Sequence, residues 1–157
     1  MKLVLHLGFH KTASSHLQQV LAATCSDRDS LRYVGPKEFR DKTVWFSLRQ
    51  KGLDQKRSGN YLAELSTSAD TVVISDENIC GHSDDIFTHC RLYEHISSRL
   101  QSLSAFSGQF NTTEVWVAIR NPATFLPSIY CEAMRWKAYE DFRTVFKGDF
   151  QQCWLQQ

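Results

Sequence analysis

The sequence predicts an α/β domain, a three-layer sandwich in which helices cover both faces of a parallel sheet. Apolar runs that suit buried strands occur at Leu3–Leu7, Thr71–Ser75 and Glu114–Ile119. Stretches with apolar residues at helical spacing separate these runs, and strands that alternate with helices form parallel sheets. The chain has 157 residues, enough for one domain with its own core, so we expect a single domain over residues 1–157.

The first half of the chain is predicted to contain three strands and three helices. A helix is predicted after the first strand because Leu17, Val20 and Leu21 recur at helical spacing. The segments that follow are a short strand, a helix, a basic connection and another helix, at Leu31–Val34, Lys37–Arg49, Lys51–Gly59 and Asn60–Ala69. The strand Thr71–Ser75 then ends in polar residues.

The second half is predicted to be mostly helical around the third strand. A long helix is expected over Ile86–Phe106, where apolar residues recur roughly every four positions. Pro122 suits the first turn of the helix expected over Ala123–Tyr139. A last short helix is expected around Phe142, Val145 and Phe146.

Polar residues follow each of the three clear strands. Lys11 and Thr12 follow the first strand, Asp76 and Glu77 the second, and Arg120 the third. The carboxyl ends of parallel strands meet at one edge of the sheet, which is where ligands bind in open α/β folds. We therefore expect these side chains to converge on one site.

The segment from Gly8 to Ser15 has the features of a phosphate-binding turn. Gly8 allows a sharp turn, and the N–H groups and dipole at the start of the next helix favour an anion. Lys11 adds a positive charge, while Thr12, Ser14 and Ser15 add hydroxyl donors. The nucleotide-triphosphatase loop is excluded, because its Gly-Lys-Ser/Thr ending is missing.

This segment resembles the phosphosulfate-binding loop of sulfotransferases that use 3'-phosphoadenosine 5'-phosphosulfate (PAPS). In bacterial members the loop reads much like HxGxxKTGTTxLQ, and six positions match: His6, Gly8, Lys11, Thr12, Leu17 and Gln18. Ser14 and Ser15 replace threonines and keep the hydroxyls, and Ala13 replaces a small Gly or Ser. The alternative is an ordinary loop with a capping threonine.

A second stretch, Arg120 to Tyr130, resembles the family's 3'-phosphate motif. In that motif an Arg ends a strand, Asn/Asp-Pro follows, and a Ser lies eight residues after the Arg, the spacing of Arg120 and Ser128. A planar guanidinium suits bidentate contacts to phosphate. The alternative is that Arg120 pairs with a carboxylate and Ser128 faces solvent.

A third stretch, Val73 to Glu77, resembles the SSE segment of many bacterial members. The resemblance aligns Glu77 with the carboxylate that is often assigned as general base in the family. Glu77 could instead cap the next helix or pair with Lys11 or Arg120, and both readings remain open.

The resemblance implies a fold of the P-loop nucleoside-triphosphatase type and transfer of a sulfuryl group from PAPS to a hydroxyl or amine. It implies that Lys11 stabilises the leaving nucleotide and that Arg120 and Ser128 hold the 3'-phosphate. Glu77 would take the acceptor's proton, with His10 and His82 as alternatives. The 5'-phosphosulfate would be held by the loop, namely Gly8, His10, Lys11, Thr12, Ala13, Ser14 and Ser15. No metal is required, and adenosine 3',5'-bisphosphate (PAP) is the product.

The resemblance covers Leu3 to about Tyr130. Family members are longer and have a further basic cofactor-binding loop, so we expect a sulfotransferase-like domain that lacks a C-terminal part of the family fold. Such a domain should bind PAP and transfer little unless further chain completes its acceptor pocket. The acceptor, a glycan, lipid or small molecule, and the oligomeric state are not determined by the sequence.

Two other functions compete with this one: a PAPS- or PAP-binding domain without transfer activity, and a small nucleotide kinase. Acidic and basic residues nearly cancel, 17 against 18, so charge does not favour nucleic acid or a membrane surface. No signal peptide or membrane-spanning run is visible, which predicts a cytoplasmic protein. The five cysteines form no Cys-x-x-Cys pair and suggest neither a zinc site nor a disulfide framework.

Overall fold

The computed structural model describes residues 1–26, 28–43, 55–83, 93, 95–135 and 141–145. Within them, four parallel strands form one sheet in the order β2-β3-β1-β4. The strands are β1 (Lys2–Gly8), β2 (Leu31–Val34), β3 (Thr71–Ser75) and β4 (Thr112–Ala118). The predicted α/β class with a parallel sheet and helices is confirmed.

Helices connect the strands. They are α1 (Ser14–Cys25), α2 (Pro36–Thr43), α3 (Gln55–Ser68), α4 (Ile96–Ser107), α5 (Pro122–Ala133) and α6 (Phe142–Val145), with a short 3-10 turn at Glu77–Ile79. Helix α1 contacts β2, and helices α2 and α3 contact β3. No helix of the described ranges is long and apolar enough to cross a membrane.

Strand β1 lies between β3 and β4 and forms the centre of the core. Leu5 is in register with Ile74 of β3 on one side and with Val115 of β4 on the other. Leu3, Leu5 and Ile74 are all at most 2% exposed. A strand that is buried on both faces has a near-continuous apolar run, and β1 has such a run with only His6 inside it. This central position fixes where the loop after β1 lies.

Strand β4 differs from its prediction. The sequence predicted a buried strand over Glu114–Ile119, whereas Val115, Trp116 and Val117 are 52%, 46% and 53% exposed. In the part of the chain that the structure describes, β4 pairs with β1 alone and forms one edge of the sheet. An apolar run shows that a strand can be buried, but its place in the sheet decides whether it is.

Helix α3 corrects the expected connection at Lys51–Gly59. It begins at Gln55 and includes Gly59, where an added Cβ would meet no atom within 4 Å. Glycine disfavours a helix by about 1 kcal/mol relative to alanine. Burial of Tyr61, Leu62 and Leu65 further along α3 offsets that cost.

The long helix expected over Ile86–Phe106 is shorter in the described residues. Tyr93 has a left-handed backbone with φ of 52°, and α4 begins only at Ile96. Helix α5 ends at Ala133, and α2 is described from Pro36 as far as Thr43. Other parts of the expected helices lie outside the described residues, namely positions 44–49, 86–92, 94, 136–139 and 146.

Candidate functional site

The loop between β1 and α1 forms a tight turn with left-handed residues and a local hydrogen bond. Lys11 and Ala13 adopt left-handed conformations, with φ of 65° and 62°. The Thr12 hydroxyl donates a 2.6 Å hydrogen bond to the carbonyl oxygen of Phe9. A Cβ at Gly8 would lie 3.2 Å from that hydroxyl oxygen, so glycine leaves room for the turn. Turns of this kind gather backbone N–H groups into concavities that bind anions.

Helix α1 starts directly after this loop. Ala13 is its N-cap residue, and no side chain in the described part of the chain caps it. The Ala13 carbonyl accepts from the N–H groups of His16 and Leu17 at 3.1 and 3.2 Å. Ser14 is buried and Ser15 is exposed in the first turn. An uncapped helix start leaves N–H donors and the positive end of the dipole for an anion.

Arg120 connects the end of β4 to this loop. Its Nη1 donates a 3.0 Å hydrogen bond to the carbonyl oxygen of Lys11, and its Nε donates to Thr124 Oγ1 over 3.1 Å. The same Nη1 lies 3.4 Å from Ser128 Oγ. Asn121 caps the N-terminus of α5. The structure thus brings Arg120 and Ser128 together beside Lys11, and the partners of Arg120 are neutral oxygens.

The side chain of Lys11 forms an ion pair that the sequence did not predict. Its Nζ donates a 2.8 Å hydrogen bond to Glu132 Oε2 on α5, and both side chains are about one third exposed, at 34% and 30%. Arg135 Nη1 lies 3.4 Å from the same oxygen. The hydrogen bond from Lys11 lowers the pKa of Glu132, so this carboxylate is ionised at neutral pH.

Glu77 lies where β3 ends, but its partners differ from those considered on the sequence. Gln18 Nε2 on α1 donates a 2.8 Å hydrogen bond to Glu77 Oε2. Arg40 Nη2 on α2 lies 3.8 Å from Glu77 Oε1. These contacts take the place of the pairing with Lys11 or Arg120.

The neighbouring Asp76 is fully buried and performs the capping role that was considered for Glu77. Arg40 Nε donates to Asp76 Oδ2 over 2.9 Å, and the Asn78 N–H donates to Asp76 Oδ1 over 3.0 Å. Buried carboxylates require partners of this kind, because an unpaired buried charge is strongly destabilising. Asp76 therefore holds the segment that carries Glu77.

His10 is fixed at both ring nitrogens. Its Nε2 lies 2.8 Å from Asn78 Oδ1, and its Nδ1 lies 3.1 Å from the Tyr93 hydroxyl, which also accepts from the His10 N–H. Since Asn78 Oδ1 only accepts, Nε2 carries the proton and Nδ1 accepts from Tyr93. Burial lowers the pKa of His10, so the neutral ring is favoured. His82, the other histidine considered as a base, is partly buried.

A cavity of about 720 Å³ opens beside the start of α1. Side chains of α1, β2 and α2 line it, among them Ser15, Gln18, Tyr33 and Lys37. Gln18 both lines this cavity and holds Glu77 through its amide. The carboxylate of Glu77 is therefore linked to the cavity through a single side chain.

The sequence missed several residues of this site: Arg40, Asn78, Tyr93 and Glu132. Glu132 could have been found, because it lies four residues after Ser128 on a predicted helix and so shares its face. Arg40 and Tyr93 carry no local signal, since their roles depend on tertiary contacts. No group of three or more His, Cys, Asp or Glu residues in the described ranges is placed to hold a metal ion.

No protein-family model matches the chain, and no curated protein matches it either.

Proposed function

We propose that this chain is a PAPS-dependent sulfotransferase domain, which transfers a sulfuryl group to a hydroxyl or amine and releases PAP. The observation that carries the proposal is the 3.0 Å hydrogen bond from Arg120 to the Lys11 carbonyl, with Ser128 3.4 Å from the same nitrogen. This bond joins the two stretches that resemble the two halves of one nucleotide site. Arg120 and Lys11 are 109 residues apart in the chain.

The donor nucleotide would lie along this edge of the sheet. The loop amides, Thr12 and the uncapped start of α1 would hold the 5'-phosphosulfate, and Arg120 with Ser128 would hold the 3'-phosphate. The order β2-β3-β1-β4 supports this placement, because the loop after β1 then has polar strand ends on both sides. The proposal includes a P-loop nucleoside-triphosphatase-like fold.

The chemistry is an in-line displacement at sulfur. The acceptor oxygen or nitrogen forms a bond to sulfur while the bond from sulfur to the bridging oxygen of the nucleotide breaks. As in phosphoryl transfer, positioning and charge stabilisation supply most of the rate. Lys11 would stabilise the charge on the departing oxygen, and Glu77 would take the acceptor's proton.

The acceptor would enter the cavity between α1 and α2. This cavity adjoins β2, whereas Arg120 follows β4, so the two lie on opposite sides of β1 in the sheet order. Gln18 connects Glu77 to the cavity, which puts a carboxylate at the acceptor side. The loop after β1 would hold the sulfuryl group between the departing nucleotide oxygen on one side and the acceptor on the other, which is the arrangement that in-line transfer requires.

The second candidate is a PAPS- or PAP-binding domain without transfer activity. The exposure of Val115, Trp116 and Val117 on β4 favours it, because a parallel strand of this composition is normally covered. A domain that works only with further polypeptide over this strand would bind nucleotide and transfer poorly alone.

An assay of PAP release from PAPS, with mixed hydroxyl and amine acceptors, separates the candidates. The transferase predicts release that acceptors stimulate and that Lys11→Ala lowers on the order of a hundredfold or more. Tight PAP binding without stimulated release would favour the binding domain. Near-normal release by Lys11→Ala would contradict the role of Lys11. Phosphate transfer from ATP without sulfuryl transfer would favour a kinase.

A further inference from the structure

Lys11 is anchored at two points. Its carbonyl oxygen accepts from Arg120, which fixes the backbone of the loop. Its amine donates to Glu132, which lies on α5 one helical turn beyond Ser128. The loop backbone thus has the conformation of an anion-binding turn, while the amine of Lys11 binds the carboxylate of Glu132.

The ion pair between Lys11 and Glu132 is partly exposed, so the amine of Lys11 can leave Glu132 for another anion. Lys11 and Glu132 are 34% and 30% exposed, and exposed pairs of this kind are weak. Arg135 Nη1 lies 3.4 Å from the same Glu132 oxygen, so the carboxylate keeps a cationic neighbour if Lys11 leaves. A phosphate group that binds Lys11 and the loop amides together offers the amine a more highly charged partner.

We propose that Glu132 is the resident counter-ion of the anion site, and that Lys11 exchanges it for the incoming anion. Glu132 thereby lowers the affinity of the site for phosphate and sulfate groups. The proposal rests on the proposed function for the identity of the natural anion, but the exchange itself applies to any anion bound by Lys11.

The chain contains a matched control for this pair. Lys2 and Glu114 form an exposed ion pair at 2.6 Å, at the ends of β1 and β4 opposite the loop. Glu114→Gln and Glu132→Gln each remove one negative charge and the carboxylate partner of one lysine, and Glu132→Gln also removes the carboxylate beside Arg135. Only the second removes the partner of Lys11.

The test measures binding of inorganic sulfate and of PAP to the wild type and to Glu132→Gln, by calorimetry and by the shift in thermal unfolding. We expect Glu132→Gln to bind both about 1.5- to fivefold more tightly, the range that an exposed ion pair supplies. Glu114→Gln should match the wild type. In a Lys11→Met background, Glu132→Gln should give no gain. Glu132→Ala is the second variant and should behave as Glu132→Gln does.

Unchanged or weaker sulfate binding in the Glu132 variants would overturn the exchange and indicate that Glu132 positions Lys11. Tighter sulfate binding in these variants, with no preference for PAP over AMP, would uphold the exchange and contradict the proposed function. A protein that binds neither sulfate nor PAP in any variant would overturn both.

Discussion

Arg120 donates a 3.0 Å hydrogen bond to the carbonyl oxygen of Lys11, which lies 109 residues earlier in the chain. The bond joins the segments that follow β4 and β1, two adjacent parallel strands. Arg120 contacts the protein through Nε and Nη1, and no acceptor among the described residues binds its Nη2. A guanidinium has five N–H donors, so the geometry leaves donors for a phosphate.

Arg120→Ala should weaken binding of PAP much more than binding of AMP. A charge-assisted contact is worth about 1.5–3 kcal/mol, roughly a 10- to 150-fold change in Kd, and AMP lacks the 3'-phosphate. Loss of the bond to Lys11 would affect both nucleotides, so the ratio of the two losses isolates the 3'-phosphate. Arg120→Lys keeps the charge without the fork and should restore only part of the loss. Calorimetry that shows equal losses for both nucleotides would contradict this role.

Ala13→Gly should stabilise the protein, because Ala13 has a left-handed backbone with φ of 62°. That conformation costs an L-residue roughly 1–2 kcal/mol, part of which the greater freedom of unfolded glycine cancels. We expect a gain of about 0.5–1 kcal/mol in the free energy of unfolding by urea. Ala22→Gly, at an exposed position inside α1, is the control and should lose about 0.5–1 kcal/mol. If Ala13→Gly lowers the free energy of unfolding as Ala22→Gly does, the backbone of Ala13 is not strained.

Glu77→Gln should lower turnover and leave PAP affinity and stability almost unchanged. Removing a general base typically costs 10² to 10⁴-fold in rate, roughly, while the amide keeps the size of the side chain. Asp76→Asn is the contrasting variant, since Asp76 is fully buried against Arg40. We expect it to lose about 2–3 kcal/mol of stability, less than a fully buried pair would, because Arg40 is 33% exposed. If Glu77→Gln unfolds as easily as Asp76→Asn, Glu77 acts as a structural ion-pair partner of Arg40 and not as the general base.

The stability of the protein should fall as the solution is acidified below pH 6.5. Burial lowers the pKa of both His6 and His10 below the usual value of 6.5. The unfolded chain then takes up protons at a higher pH than the folded protein, so their contribution is present above pH 6.5 and lost below it. Each histidine contributes a slope of at most about 1.4 kcal/mol per pH unit. His10→Gln should reduce the slope in urea unfolding between about pH 7 and 5, and an unchanged slope would contradict its burial as a neutral ring.

The sequence predicts β1, β3 and the loop after β1 well, because their signals are local. Apolar runs of four to eight residues that contain β-branched residues and are followed at once by glycine or polar residues are typical of buried strands. The burial of β4 was predicted wrongly, and so was a helical conformation at Tyr93 within the expected helix Ile86–Phe106. Exposure of β4 depends on its place in the sheet, and a tyrosine does not signal the left-handed backbone that Tyr93 adopts ahead of α4.

The site was predicted in part for the same reason. The resemblance of the stretch from Arg120 to Tyr130 paired Arg120, just before α5, with Ser128 inside it, and the order of the strands brings both to Lys11. The hydrogen-bond and ion-pair partners of Glu77 and Lys11 could not be predicted from the sequence. Glu77 binds Gln18 and lies near Arg40, and Lys11 binds Glu132, because these contacts depend on how α1, α2 and α5 lie against the sheet.

Calorimetric binding of PAP, ADP and AMP to the wild-type protein tests the central claim most directly. The three nucleotides share the adenosine and the 5'-phosphate, and PAP alone carries a 3'-phosphate for Arg120 and Ser128. The account predicts that PAP binds at least about tenfold more tightly than either ADP or AMP, the value of one charge-assisted contact. Equal binding of all three, or no binding of PAP, would contradict it.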